Sequence, residues 1–204
     1  MKQHWDDVYR SKLPHQVSWY RPHLERSIAM IEHASGGERG MSIVDVGGGA
    51  STLVDDLLVL GYRRVTVLDI AEDALNATRT RLGEVTENVQ FVCADLLHCG
   101  LRSHSYDIWH DRAVFHFLTQ PEERAKYAGQ MERILRRGGH AILATFGPEG
   151  PNRCSGLDTM RYDAAALQEQ LGPRFELVES AMELHETPFA TAQQFQYCHF
   201  VLHN

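Results

Sequence analysis

Ser42-Ile43-Val44-Asp45-Val46-Gly47-Gly48-Gly49-Ala50-Ser51 decides how the rest of the chain is read. A short apolar run ending in an acid and three glycines predicts a buried strand that breaks into a tight turn. The next segment predicts a helix: Leu53, Leu57 and Leu60 recur at helical spacing, Val54 and Leu58 lie alongside, and Gly61 stands as a C-terminal stop. Strand, glycine turn and helix together make the half-unit on which α/β proteins bind nucleotides. Glycines let the backbone approach the ligand, and the helix N-terminus offers free N–H groups.

Downstream the unit repeats. Val65–Asp69 predicts a second buried strand ending in an acid, and Glu72–Leu82 a helix closed by Gly83. Residues 89–95 predict a third strand, again ending in an acid, and 106–110 a fourth. Pro121 opens a helix with Ala128, Met131 and Leu135 on one face, and Gly138-Gly139 stops it before the apolar strand 141–146. A loop over 147–158, a helix over 163–171 and two strands near 175–178 and 195–202 complete the chain. Strands alternating with helices imply a doubly wound, mainly parallel α/β sheet with its ligand crevice beyond the C-terminal strand ends.

Upstream, Trp5, Tyr9, Trp19 and Tyr20 are too aromatic for a disordered tail and too irregularly placed for a helix. Pro22 reads as the first residue of a helix carrying Leu24, Ile28 and Ile31, with glycines at 36, 37 and 40 breaking the chain before the opening stretch. The expected organisation is one domain over 1–204: an aromatic cover (1–40), a core (41–146), and a C-terminal loop with sheet-closing strands (147–204). Aromatic rings in the cover serve equally to close the core or to form a lid over a ligand.

With 43% hydrophobic and 23% charged residues, the composition is that of a globular protein. The formal net charge of −7 argues against a nucleic-acid partner, and no run reaches membrane-spanning length. The N-terminus lacks the features of a secretory or transit peptide, so a cytoplasmic location is expected. Cys93, Cys99, Cys154 and Cys198 have no Cys-x-x-Cys spacing and the twelve histidines are scattered, so neither a disulfide framework nor a metal site is expected.

Asp45, Asp69 and Asp95 end successive strands, which places them along one crevice. An acid after the second strand accepts both hydroxyls of a ribose, and Asp95 can accept from an exocyclic amine such as that of adenine. Acids at such positions also cap helix starts, so their joint spacing with the glycine turn carries the reading. A dinucleotide fingerprint beginning at Gly47 needs Gly or Ala where Thr52 stands, and no phosphate-binding P-loop motif occurs. The ligand expected is a single adenosine without a pyrophosphate.

On these residues the chain resembles the class I S-adenosylmethionine-dependent methyltransferases over about residues 40–146. Asp45, Gly47 and Gly49 match the family's first motif, which departs at Ser51, where a third glycine is usual. Asp69, followed by Ile70, matches its ribose-binding acid, and Ala94-Asp95-Leu96 its adenine-contacting segment. Arg136-Arg137-Gly138-Gly139 looks like its turn before the fifth strand, with Arg137 in place of proline. The resemblance implies a Rossmann-like sheet of seven strands, mainly parallel with the last strand antiparallel. It also implies S-adenosylmethionine as cofactor, with S-adenosylhomocysteine as product, and Trp19 among the residues near the cofactor.

Methyl transfer from a sulfonium is an in-line displacement that needs a positioned nucleophile and exclusion of water. In the family the acceptor faces residues after the fourth strand, which makes His110, Asp111 and His116 the candidates for proton transfer or acceptor contact. Against these roles, His116 can be a satisfied core residue, and Asp111 with Arg112 a structural ion pair. Trp109-His110-Asp111-Arg112-Ala113 resembles a segment of thiopurine and other thiol methyltransferases, which share a Trp-rich start. It also resembles one of a group of protein-lysine methyltransferases. Tyr9, Arg112 and Cys154 are the candidate acceptor contacts. A small-molecule acceptor is expected, with a protein lysine as the alternative and an inactive nucleotide-binding module as a third reading.

Overall fold

In the computed structural model, which describes residues 1–203, the strands form one seven-stranded sheet and a small ribbon. β1 (Ile43–Val46), β2 (Val65–Asp69), β3 (Val89–Cys93), β4 (Tyr106–Arg112) and β5 (Leu135–Phe146) run parallel. The short ribbon β6 (Arg153–Cys154) and β7 (Leu157–Asp158) lies within the predicted loop. β8 (Phe175–Glu186) and β9 (Ala192–Leu202) form a long hairpin, in which β9 is antiparallel to both β5 and β8. The sheet order is β3-β2-β1-β4-β5-β9-β8, so the expected seven-stranded arrangement with an antiparallel last strand is present.

Strand periodicity sorts the core into two layers. Val44, Val46, Trp109, Ala141 and Leu143 face α5 (Pro121–Ile134) and α6 (Ala164–Leu171). Ile43, Ile108 and Ile142 face α2 (Glu25–Ser35) and α3 (Leu53–Val59) on the other side, where α4 (Glu72–Leu82) continues the layer. β1 sends its successor β2 to one side while β4 joins it on the other. The chain therefore reverses direction across the sheet between β1 and β4, the position where open α/β sheets hold ligands.

Four local expectations change. Residues Lys2–Ser11 form a helix, α1, because Trp5, Val8 and Tyr9 fall on one face and dock against the molecule. Pro22 lies at a bend ahead of the helix and α2 begins at Glu25; Thr52 donates a hydrogen bond to the Arg21 carbonyl (2.9 Å) and holds this stretch across the glycine turn. α5 ends at Ile134, and β5 begins directly after it at Leu135, with the glycine pair bulged out opposite β4. β8 extends to Glu186 although Val178, Met182 and Leu184 lie exposed and Glu179, Glu183 and His185 lie on its covered side, so no buried apolar run marks it.

The turn after β4 is fixed by Asp111. This fully buried carboxylate accepts from the Val114 N–H (2.9 Å), the Phe115 N–H (3.1 Å) and the Tyr127 hydroxyl (2.6 Å). Tyr127 in turn accepts from Trp109 Nε1 (2.9 Å). Tyr127→Phe leaves Trp109 without an acceptor and Asp111 one donor short. It is expected to cost about 1–3 kcal/mol of stability. Urea unfolding should show a lower midpoint at unchanged slope, and an unaltered midpoint would remove this network from the account of the fold.

Candidate active site

The register of β1 on β4 pairs Asp45 with His110, so both side chains emerge on the same face at the same level. His110 Nδ1 donates to Asp45 Oδ1 (2.7 Å), and its Nε2 lies 2.9 Å from Ser27 Oγ on α2. All three residues are buried. The second carboxylate oxygen, Asp45 Oδ2, is buried without a partner. A Cβ at Gly48 would come within 2.3 Å of it, which explains why the turn is glycine there. An orphaned acceptor of this kind at a cavity wall fits a ligand that brings an ammonium or hydroxyl donor.

Gly47 adopts a φ of +66°, and a Cβ at Gly49 would lie 2.4 Å from Asp69 Oδ2 and 2.8 Å from the Ala74 Cβ. The glycine turn is thus a cradle pressed against two carboxylates. Asp69 Oδ1 accepts from the Ala71 N–H (2.8 Å). Burial pushes the Asp69 carboxyl up to about 7; the Ala71 N–H opposes this rise and the Asp45 charge adds to it. Asp95 is exposed and caps the following turn through the Leu97 N–H (2.9 Å), with His98 Nδ1 3.2 Å from its other oxygen.

These groups line one cavity. Asp45, Gly47, Asp69, Ile70, Asp95 and Leu96 line one end of it. At the other end α1 and the segment after it supply Trp5, Tyr9 and Trp19, with Phe117, Phe146 and Cys154 opposite. The Trp5 ring meets Trp19 and Phe117 edge-on at centroid distances of 5.7 and 5.2 Å. Polar contacts fasten α1 as a lid: Lys2 Nζ donates to the Ile70 carbonyl (3.1 Å) and Arg10 Nε to Asp73 (2.8 Å). Burial and the Asp69 charge push the Tyr9 phenol up.

Arg112 reaches the cavity from the end of β4. It donates to the Trp19 carbonyl (2.9 Å) and the Tyr197 hydroxyl (3.0 Å), and its guanidinium stacks 4.5 Å over the Phe195 ring. Its Nη2 is buried without an acceptor. Cys154 Sγ packs 3.9 Å from Ser18 Oγ, and burial pushes its thiol up.

Asp111 and His116 stand apart from the cavity. Asp111 follows His110 by one residue on a strand and so faces the opposite layer, toward Tyr127. His116 stacks on Phe146 (4.2 Å between centroids), and its Nδ1 accepts from the Phe146 N–H (3.1 Å). Burial, with the Arg112 charge second, pushes this imidazole down to about 3. Gly49 likewise contacts Asp69 from behind the turn. Ser27, Phe117 and Phe146, which shape the site, carried no signal in sequence because tertiary packing alone brings them there.

Residues 44–143 match the family described as a methyltransferase domain. A curated relative, eEF1A lysine and N-terminal methyltransferase from Danio rerio, is 25% identical over 149 residues, 72% of this chain. The match covers 21% of that relative, so this chain spans about a fifth of its length. Two solved structures share the fold. One, from work on conversion of a disulfide bond into a thioacetal group during echinomycin biosynthesis, has a TM-score of 0.80 at 19% identity, over 100% of this chain and 93% of that one. The other is Burkholderia thailandensis 1,6-didemethyltoxoflavin-N1-methyltransferase with bound 1,6-didemethyltoxoflavin and S-adenosylhomocysteine. It has a TM-score of 0.70 at 20% identity, over 100% of this chain and 84% of that one.

The folded protein holds the Asp69 proton up to about pH 7, whereas an unfolded aspartate releases it near about 3.9. Across that window the folded state binds more protons, so stability falls as pH rises. Asp69→Asn removes this term and is expected to raise the melting temperature at pH 8 by several degrees, with little change at pH 4. Equal shifts at both pH values, in scans of the two proteins, would contradict the assignment.

Proposed function

Because this chain belongs to the class I S-adenosylmethionine-dependent methyltransferases, we propose that it methylates a small-molecule acceptor held beneath the aromatic N-terminal lid. Its cofactor is S-adenosylmethionine, which when bound supplies an electrophilic methyl group on a positively charged sulfur. Asp69 would accept the ribose hydroxyls, while Asp95, Leu96 and Ile70 would bound the adenine. The unpartnered Asp45 oxygen and the glycine turn would receive the amino-acid end.

The observation that carries the small-molecule reading is the enclosure of the acceptor end by α1. Trp5, Tyr9, Trp19, Phe117 and Phe146 form a mainly apolar chamber, with Arg112 Nη2 as a donor left open. Apolar walls exclude water, and a fixed donor orients an oxygen-bearing acceptor. His110 sits at the floor with both ring nitrogens engaged, by Asp45 and Ser27, which suits it to positioning better than to proton abstraction. The buried Tyr9 phenol holds its proton as well. These features favour an acceptor that needs no strong base, a readily ionised thiol or a neutral amine, over an alcohol. The lysine and N-terminal methyltransferase relative supports protein as the second reading.

Two measurements test this. Calorimetry should show binding of S-adenosylmethionine and S-adenosylhomocysteine, with Asp69→Ala weaker by tenfold or more for both. Because the ionised carboxylate is the ribose acceptor and its pKa in the free protein is about 7, affinity should fall as pH drops below 7, by up to about tenfold per unit. A flat profile would detach Asp69 from the ribose. With methyl-labelled cofactor, label should appear in a deproteinised metabolite extract; label confined to a denatured and refolded lysate would replace the small molecule by a protein.

A further inference from the structure

Outside the lining of the cavity, α2 meets the β8–β9 hairpin at a group of side chains that methyl transfer does not use. His33 on α2, Glu179 on β8 and His199 on β9 each place a donor atom within 4.8 Å of the others. His33 Nδ1 lies 2.6 Å from Glu179 Oε1, and His199 Nδ1 lies 3.2 Å from the same oxygen. Behind them, His140 Nδ1 is 2.9 Å from His199 Nε2. His199 is buried, Glu179 is partly covered and His33 is exposed.

We propose that His33, Glu179 and His199 form a Zn²⁺ site that fastens α2 to the hairpin. Two imidazoles and one carboxylate are a donor set zinc accepts, and the exposed side at His33 leaves a fourth position to water. Zinc–ligand bonds of about 2.0–2.2 Å set tetrahedral donor separations of roughly 3.3–3.6 Å. The separations of 2.6 and 3.2 Å from Glu179 Oε1 fall short of that spacing, so an ion would open the cluster, with the exposed His33 and the partly covered Glu179 as the side chains freest to move. Among the described residues this is the one cluster of three or more such donors.

The protons balance. In the metal-free protein the Glu179 carboxylate accepts from the Nδ1–H of both histidines, and His199 Nε2 accepts from His140. On binding, both Nδ1 atoms become ligands, His33 carries its proton on Nε2, and His199 carries its proton on Nε2 and donates to His140 Nδ1. Two Nδ1 protons are given up and two Nε2 positions are filled, with His140 passing the proton on its Nδ1 to its other ring nitrogen. His140 thereby becomes the outer partner that fixes the tautomer and aim of the ligating His199 ring. No motif spacing announces the site, because its three ligands lie 146 and 20 residues apart and are joined only by β8–β9 pairing and the docking of α2.

The test titrates Zn²⁺ into chelator-treated protein by calorimetry and follows melting temperature in parallel. Wild type should bind one ion with a rise in melting temperature. His33→Ala, at an exposed position, and Glu179→Gln should each weaken binding tenfold or more and abolish the rise, while His23→Ala, a distant exposed histidine, should leave both unchanged. X-ray absorption of the zinc-loaded protein should report two imidazoles in the first shell. Absence of binding, or equal binding by wild type and His33→Ala, would reduce the cluster to hydrogen bonds alone.

Discussion

The buried contact between Asp45 and His110 is the constraint on which the site depends. It joins β1 to β4 where the sheet changes direction, and through Ser27 it reaches α2, so three elements meet at one imidazole. Taking either partner away leaves a buried polar group uncompensated, a loss of about 3–5 kcal/mol where a charge is stranded. The pair also fixes the wall against which the glycine turn packs: Gly48 approaches the Asp45 carboxylate more closely than any side chain would permit. The acid and the glycines of the opening stretch are therefore one device, in which the carboxylate sets the turn and the turn leaves the carboxylate's second oxygen open.

How much of this is legible in the sequence depends on how local each feature is. β1 to β5, the helices between them and the three strand-end acids follow from runs and periodicities a few residues long. α1 escapes that reading because its docking face rests on three residues, Trp5, Val8 and Tyr9, set among charges. β8 escapes it because its exposed positions carry Val178, Met182 and Leu184 while its covered side carries Glu179, Glu183 and His185, the reverse of the pattern that marks a strand. The division between His110 and Asp111 is more instructive. Adjacent in sequence and equal in chemical promise, they face opposite layers of the sheet, one to the cavity and one to Tyr127. Strand alternation alone separates them, and it assigns their faces only once the register on β1 is known. Ser27 and the His33, Glu179 and His199 cluster lie further beyond reach, since they need α2 in place.

The two ends of the cavity are made differently. The end lined by Asp45, Gly47, Asp69 and Asp95 is built from backbone: a glycine turn, strand termini and carboxylates at fixed positions on a rigid sheet. Such a site leaves a compact trace in sequence. The acceptor end is built from side chains contributed by α1, the stretch after it, the turn after β4 and the ribbon loop, and rings from any of these can be exchanged without disturbing the sheet. The family is consequently written in a short stretch, whereas the acceptor is written in a surface that no single stretch contains.

That division extends to energetics. The acceptor end is apolar and its burial favours folding. The carboxylate end opposes folding, because Asp45 and Asp69 are held out of water close enough for their charges to raise the Asp69 pKa. The Ala71 N–H offsets part of that cost. The lid contacts the same region, Lys2 donating to the Ile70 carbonyl beside Asp69. α1, which supplies Trp5 and Tyr9 to the cavity, is therefore anchored beside the same carboxylate whose burial opposes folding, so the placement of the aromatic wall and the cost of the acid meet at one strand end.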